Sequence, residues 1–178
     1  MSNTGLEVGG DIFSAQTAAN VVVIGHGVNT QGVMGAGFAK LISDKFPEVK
    51  SSYIAACRDG SLVAGGTQIV MSSNPRCAIA NIASQRFPGA DATVDRLRSG
   101  LELMFDQLRQ NNSMTFDVRL PLIGAGIGGI PPTVAADTIF DTAYRSCPDN
   151  VTVTLYLLPT DDHTPDVARR WESWQIPF

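Results

Sequence analysis

Two glycine-dense stretches hold the residues best suited to chemistry. Gly25, Gly27, Gly32, Gly35 and Gly37 crowd the segment VVVIGHGVNTQGVMGAGFAK, residues 21–40, and Gly124, Gly126, Gly128 and Gly129 crowd LPLIGAGIGGI, residues 120–130. Each follows an apolar run and precedes a helical pattern. Glycine loses more conformational freedom on folding than any other residue, so such loops make sense where backbone must take unusual dihedrals or let a ligand approach closely. At the N-terminus of a helix, free N–H groups and the helix dipole favour an anion. A phosphate group is therefore the expected guest. His26 lies at the start of the first loop, and an ordinary pKa of about 6.5 suits it to proton transfer near neutrality; a histidine held by backbone groups is the alternative.

Two familiar phosphate motifs fit poorly. Gly124-x-Gly126-x-x-Gly129 has the form of the dinucleotide fingerprint. A Rossmann unit would then need the next strand to deliver an acidic residue and the fold to continue, yet only about one strand remains. In the first loop, Gly32-x-x-x-x-Gly37 is followed by Phe38-Ala39 rather than the Lys-Ser/Thr that a P-loop uses to reach terminal phosphates and magnesium.

The elements that must position these loops are legible from pattern. The unbroken β-branched run from Val21 to Gly25 reads as a strand covered on both faces. Residues 6–8, 67–71, 78–83, 118–123 and 151–158 read as further strands, with Ser72-Ser73-Asn74-Pro75 as a turn between two neighbours. Helical spacing predicts a helix from Gly37 to Phe46 ended by Pro47, and a short one through Val49, Tyr53 and Ala56. A long one follows through Val94, Leu97, Leu101, Met104 and Leu108, with Thr93 or Asp91 as cap, and another opens at Pro131-Pro132. Ala15 to Ala19 suggests one helical turn. Beyond Pro159 the mixed, polar tail with Trp171 and Trp174 is expected to lie across the surface. Strands alternating with helices imply an α/β fold whose ligands bind beyond the carboxyl ends of strands, where both glycine loops fall.

Composition narrows the classes. With 178 residues, 44% hydrophobic and 17% charged, the chain suits one domain with a substantial core. A net charge of -4 gives no electrostatic grip on a nucleic-acid backbone. Cys57, Cys77 and Cys147 have no metal-ligand spacing and leave an odd one for disulfides, which favours a reducing cytoplasm. No apolar run approaches the roughly 20 residues needed to span a bilayer.

Taken together, Gly10-Asp11-Ile12-Phe13, residues 29–39 (NTQGVMGAGFA), residues 81–85 (NIASQ) and residues 120–130 resemble the macrodomain family, in that family's order and from about Gly9 to Leu158. The resemblance implies a three-layer α/β/α sandwich with a mixed central sheet, as one domain over 1–160 with an extension over 161–178 packed on or near it. It implies binding of ADP-ribose or a derivative, such as an ADP-ribosylated macromolecule, and hydrolysis of ADP-ribose 1''-phosphate or a related ADP-ribosyl bond. A non-catalytic ADP-ribose reader is the alternative. No metal, cofactor or membrane is implied.

By the same resemblance, Asp11 matches the acid that accepts a hydrogen bond from the adenine amino group, with Ile12 beside it; a turn or capping aspartate is the plainer reading. Asn29 matches the asparagine that contacts the distal ribose, where a left-handed turn residue is the plainer one. Gly35, Ala36 and Gly37 match the loop around the distal ribose and diphosphate, and Gly124, Ala125, Gly126, Ile127 and Gly128 match the second phosphate loop, with Ile127 bridging over the ligand. His26 and Asn29 are the implied catalytic pair. Many family hydrolases carry Asn-Ala-Ala-Asn before the first loop and an aspartate after it, where this chain has His26, Asn29 and Ala39. A second group uses a lysine near Ser84-Gln85 and an aspartate at the position of Gly128. The His-x-x-Asn spacing of His26 and Asn29 is similar to that of the yeast-type ADP-ribose-1''-phosphate phosphatases. Arg86 is a further candidate to meet a terminal phosphate.

Overall fold

The computed structural model describes residues 3–175. In chain order these form β1 (Thr4–Val8), β2 (Val21–Gly27), α1 (Gly37–Lys45), α2 (Pro47–Asp59), β3 (Thr67–Met71) and β4 (Cys77–Ile82). They continue with α3 (Val94–Arg109), β5 (Phe116–Leu120), α4 (Pro132–Ser146), β6 (Val151–Leu157) and α5 (Thr164–Trp174). One six-stranded sheet runs in the order β1-β6-β5-β2-β4-β3. All neighbours are parallel except β3, which closes one edge antiparallel to β4. The sheet is therefore mixed, as expected, and β2 lies inside it with its residues buried up to His26.

Alternation along the strands separates two cores. Val22, Ile24 and Ile79 face α1 and α2, where Ile42, Val49 and Tyr53 cover them. Val21, Val23, Ala80 and Val118 face the other way, under Leu97, Leu101, Met104 and Ile139 of α3 and α4. Burial of such side chains, at roughly 1.5–3 kcal/mol each, is what holds three layers together. Helix ends follow local chemistry. Pro47 cannot continue α1 and instead starts α2, while the Phe46 N–H bonds back to the Ile42 carbonyl. Thr93 Oγ1 accepts from the Arg96 N–H at the start of α3.

Three expectations are corrected. Asp91 does not cap α3; its carboxylate accepts from the Arg86 and Phe87 N–H groups and pairs with Arg96. No helical turn forms at residues 15–19. That segment is instead held open by Arg119 on β5, whose buried guanidinium donates to the carbonyls of Ile12 at 3.0 Å, Ser14 at 2.6 Å and Gln16 at 2.9 Å, and to Asp117. Finally, the tail folds as α5, with Val167 fully buried and Trp171 packed 5.0 Å from Phe140, ring centre to ring centre. No helix among the described residues is long and apolar enough to cross a membrane.

Candidate functional site

A cleft of about 410 Å³ opens at the carboxyl ends of β2 and β5, the place where a parallel sheet leaves a crevice. The loop after β2 supplies Asn29, Gly35, Ala36 and Gly37 to its wall, and the loop after β5 supplies Gly124, Gly126, Ile127 and Gly128. The two loops come close at their rims: a Cβ added to Gly37 would lie 3.4 Å from Ile127 Cδ1. No aspartate, glutamate, lysine or arginine lines the cleft, and His26 is the single titratable side chain among its lining residues.

Main-chain donors take the place of cations. The loop after β2 runs into α1, whose cap residue Ala36 makes no side-chain cap hydrogen bond. Its first intrahelical bond is from the Lys40 N–H to the Ala36 carbonyl, leaving the N–H groups of Gly37, Phe38 and Ala39 without a partner among the described residues. In the loop after β5, Ala125, Gly129 and Ile130 donate within the loop, whereas Gly126, Ile127 and Gly128 have no main-chain partner among the described residues. Two sets of free N–H groups thus border one cleft.

Asn29 organises the first loop. Its Oδ1 accepts from the Gln31 N–H at 2.9 Å and from the Tyr53 hydroxyl at 2.9 Å, and its Nδ2 donates to the Val33 carbonyl at 2.9 Å. It is not a left-handed turn residue, since no described non-glycine residue has positive φ. Tyr53 comes from the middle of α2, so the short second helix is what anchors the loop from beneath.

His26 departs from the sequence-based expectation of an ordinary pKa. The ring is 1% exposed, its Nε2 lies 2.7 Å from Asn81 Oδ1, and its Nδ1 is buried without a partner. Burial lowers its pKa to about 4, with the Asn81 hydrogen bond opposing in part. The imidazole is therefore neutral at physiological pH. The folded pKa lies below the unfolded one, so the contribution to stability is full above pH ~6.5 and is lost as pH falls towards the folded value. The expected loss is about 3 kcal/mol between those limits at 1.36 kcal/mol per unit. Urea denaturation near neutrality and near pH ~5 should show this slope in the wild type and not in His26→Gln; parallel pH profiles would contradict it.

Other anticipated residues fall elsewhere. Asp11 is exposed, does not line the cleft, and uses Oδ1 to accept from the Phe13 N–H in a local turn. Ile12 is buried in the core beneath α1 and α2. Ala125 packs against the opposite core rather than the cleft. Arg86 lines a neighbouring depression with Cys57 and Phe87, away from the candidate phosphate loops. Sequence reasoning missed Phe38, which lines the cleft, stacks on Phe13 with ring centres 5.9 Å apart, and lies 6.1 Å from the His26 ring. Its helical spacing disguised it as a core residue. That stack ties Phe13, at the end of the Asp11 turn, to a side chain of the cleft wall. At Gly128 an added Cβ would fall 2.7 Å from the Gly124 carbonyl oxygen and 2.8 Å from Ala92 Cβ, so no side chain fits there without moving backbone.

A three-layer α/β/α sheet with two glycine loops meeting over the ends of its inner strands defines a nucleotide-type cleft built on main chain. The family model described as Macro domain matches residues 26–139, well over half of the chain, and the protein belongs to that family. Among individual relatives, it is 28% identical over 132 residues to an ADP-ribose 1''-phosphate phosphatase of Candida albicans, covering 68% of this chain and 83% of that one. It is 29% identical over 124 residues to a DNA ADP-ribosyl glycohydrolase of Mycobacterium tuberculosis, covering 68% of this chain but only 33% of that longer protein. The solved macrodomain of Mycobacterium tuberculosis DarG superposes with a TM-score of 0.71 at 24% identity, over 85% of this chain and 97% of that one, which shows the shared fold.

Proposed function

We propose that the cleft binds ADP-ribose and that the domain hydrolyses ADP-ribose 1''-phosphate or a related ADP-ribosyl derivative. The observation that carries this reading is that two rows of N–H groups without a partner among the described residues border one cleft with no charged side chain among its described lining residues. Such a site suits a diphosphate, whose charge it neutralises with main-chain dipoles. The names of the phosphatase and glycohydrolase relatives support the rest. In this reading the diphosphate lies between residues 35–38 and 124–128, Asn29 orients the distal ribose, and the Asp11–Ile12 turn receives the adenine. His26, being neutral, does not act as a cationic acid; it accepts a hydrogen bond from a ligand hydroxyl or from water. In the same reading residues 1–160 are the domain proper and 161–178 an extension packed on it, the packing supported by the contact of Trp171 with Phe140. A cytoplasmic setting belongs to the same reading, supported by Cys57, Cys77 and Cys147 being free thiols.

A reader without turnover is the second reading, favoured by a specific feature. The cleft offers neither a carboxylate nor a lysine, and Gly128 leaves no room for one. Incubation with ADP-ribose 1''-phosphate separates the two. Phosphate release is expected from the wild type and is expected to fall about 100-fold in His26→Ala. No release above buffer would remove the enzyme and leave the reader.

A further inference from the structure

A polar row crosses the sheet beside the cleft. His26 on β2 sits directly opposite Asn81 on β4, and Asn81 directly opposite Gln68 on β3, so the three residues lie in one line across neighbouring strands. Their side chains are joined in sequence. His26 Nε2 meets Asn81 Oδ1 at 2.7 Å, Asn81 Nδ2 donates to Gln68 Oε1 at 3.0 Å, and Gln68 Nε2 donates to the Ser52 carbonyl of α2 at 3.2 Å.

The last link sets the direction of all the others. A backbone carbonyl can only accept, so Gln68 must turn its NH₂ towards Ser52 and its oxygen towards Asn81. Asn81 must then turn its NH₂ towards Gln68 and its oxygen towards His26. An oxygen facing Nε2 requires that Nε2 carry the proton, which leaves Nδ1 with a lone pair. That Nδ1 is buried and has no partner among the described residues. A buried acceptor left unpaired is costly, and a donor brought to it is correspondingly favoured.

We infer that the Ser52–Gln68–Asn81 row fixes His26 in its Nε2–H tautomer and so makes its Nδ1 a dedicated acceptor for an O–H donor in the cleft. Gln68 and Asn81 are positioning residues; neither lines the cleft. The nature of the donor, a hydroxyl of the distal ribose or a water, rests on the ADP-ribose reading above, whereas the tautomer does not. An anionic oxygen is disfavoured at this point because it has no hydrogen to give.

Nitrogen NMR of the labelled full chain tests the row directly. The chain has two histidines, so His163→Ala removes the other signal. The wild type should show a protonated Nε2 and an unprotonated Nδ1 throughout the neutral range. In Gln68→Leu, Asn81 loses its fixed orientation and the two tautomers should mix. In Gln68→Glu, which keeps an acceptor facing Asn81, the wild-type form should return. Turnover of ADP-ribose 1''-phosphate should fall about tenfold in Gln68→Leu and recover in Gln68→Glu. His26→Phe identifies the donor: weaker ADP-ribose affinity marks the ribose hydroxyl, and unchanged affinity with lower turnover marks water. An Nδ1-protonated wild type, or a tautomer indifferent to Gln68, overturns the row whether or not ADP-ribose binds. His26→Phe with affinity and turnover both unchanged overturns the acceptor role. The expected tautomer together with no ADP-ribose binding overturns the ligand assignment instead.

Discussion

Gly126→Glu is expected to abolish ADP-ribose binding while leaving the domain folded. Nothing lies within 4 Å of a Cβ built on Gly126, and its φ is not in the positive range, so a side chain costs little there. Gly126 itself lines the cleft, so a glutamate there brings its carboxylate to the cleft wall. A carboxylate about 4 Å from a phosphate, at an effective dielectric near 20, costs about 4 kcal/mol, which is close to a thousandfold in affinity. Calorimetry should therefore show binding lost, with the melting temperature within about 2 °C of wild type. Gly128→Glu is the control: its side chain meets the Gly124 carbonyl oxygen, so that variant should lose stability as well as binding. Unchanged affinity in Gly126→Glu would contradict the assignment of the diphosphate to this loop.

Arg119→Met, away from the cleft, should destabilise the fold by about 3–5 kcal/mol. Arg119 is 2% exposed, and its guanidinium joins three carbonyls of the β1–β2 segment to Asp117. Removing it leaves a carboxylate and three carbonyls without their donor. Arg119→Lys keeps the charge and loses the planar fork, so it should fall between the two. ADP-ribose affinity should weaken in both variants, because the Asp11–Ile12 turn hangs from the same carbonyl anchors. Urea denaturation reads the first effect and calorimetry the second; a loss under about 1 kcal/mol in Arg119→Met would contradict this role.

Much of the architecture was legible because short-range chemistry and packing agree. The β-branched run at Val21–Ile24, the proline that divides α1 from α2, and the 3–4 spacing of Leu97, Leu101 and Met104 all do in the fold what their patterns predict. The two glycine loops declared themselves by density and by their place between strand and helix. What escaped detection depends on long-range contacts. Residues 15–19 have helical composition, but Arg119, more than a hundred positions away, takes the carbonyls of Ile12 and Ser14 before them and of Gln16 among them. The tail reads as polar because α5 buries little beyond Val167 and the edge of Trp171. Phe38 looked like any helical core position until Phe13 was seen stacked against it.

His26 shows the same limit for chemistry. Its type and position suggested a group titrating near neutrality, whereas burial and the Asn81 bond make it neutral and directional. Neither the partner on β4 nor the one on β3 is near it in sequence, and only the register of three strands lines them up.

Under the proposed function, main-chain N–H groups of two loops grip one diphosphate. Titration of the labelled protein with ADP-ribose, followed by amide NMR, tests it most directly. The largest amide shifts should fall on residues 35–39 and 126–128, saturating together at a single affinity. Shifts confined to one loop, shifts centred elsewhere, or none at millimolar ligand would contradict it.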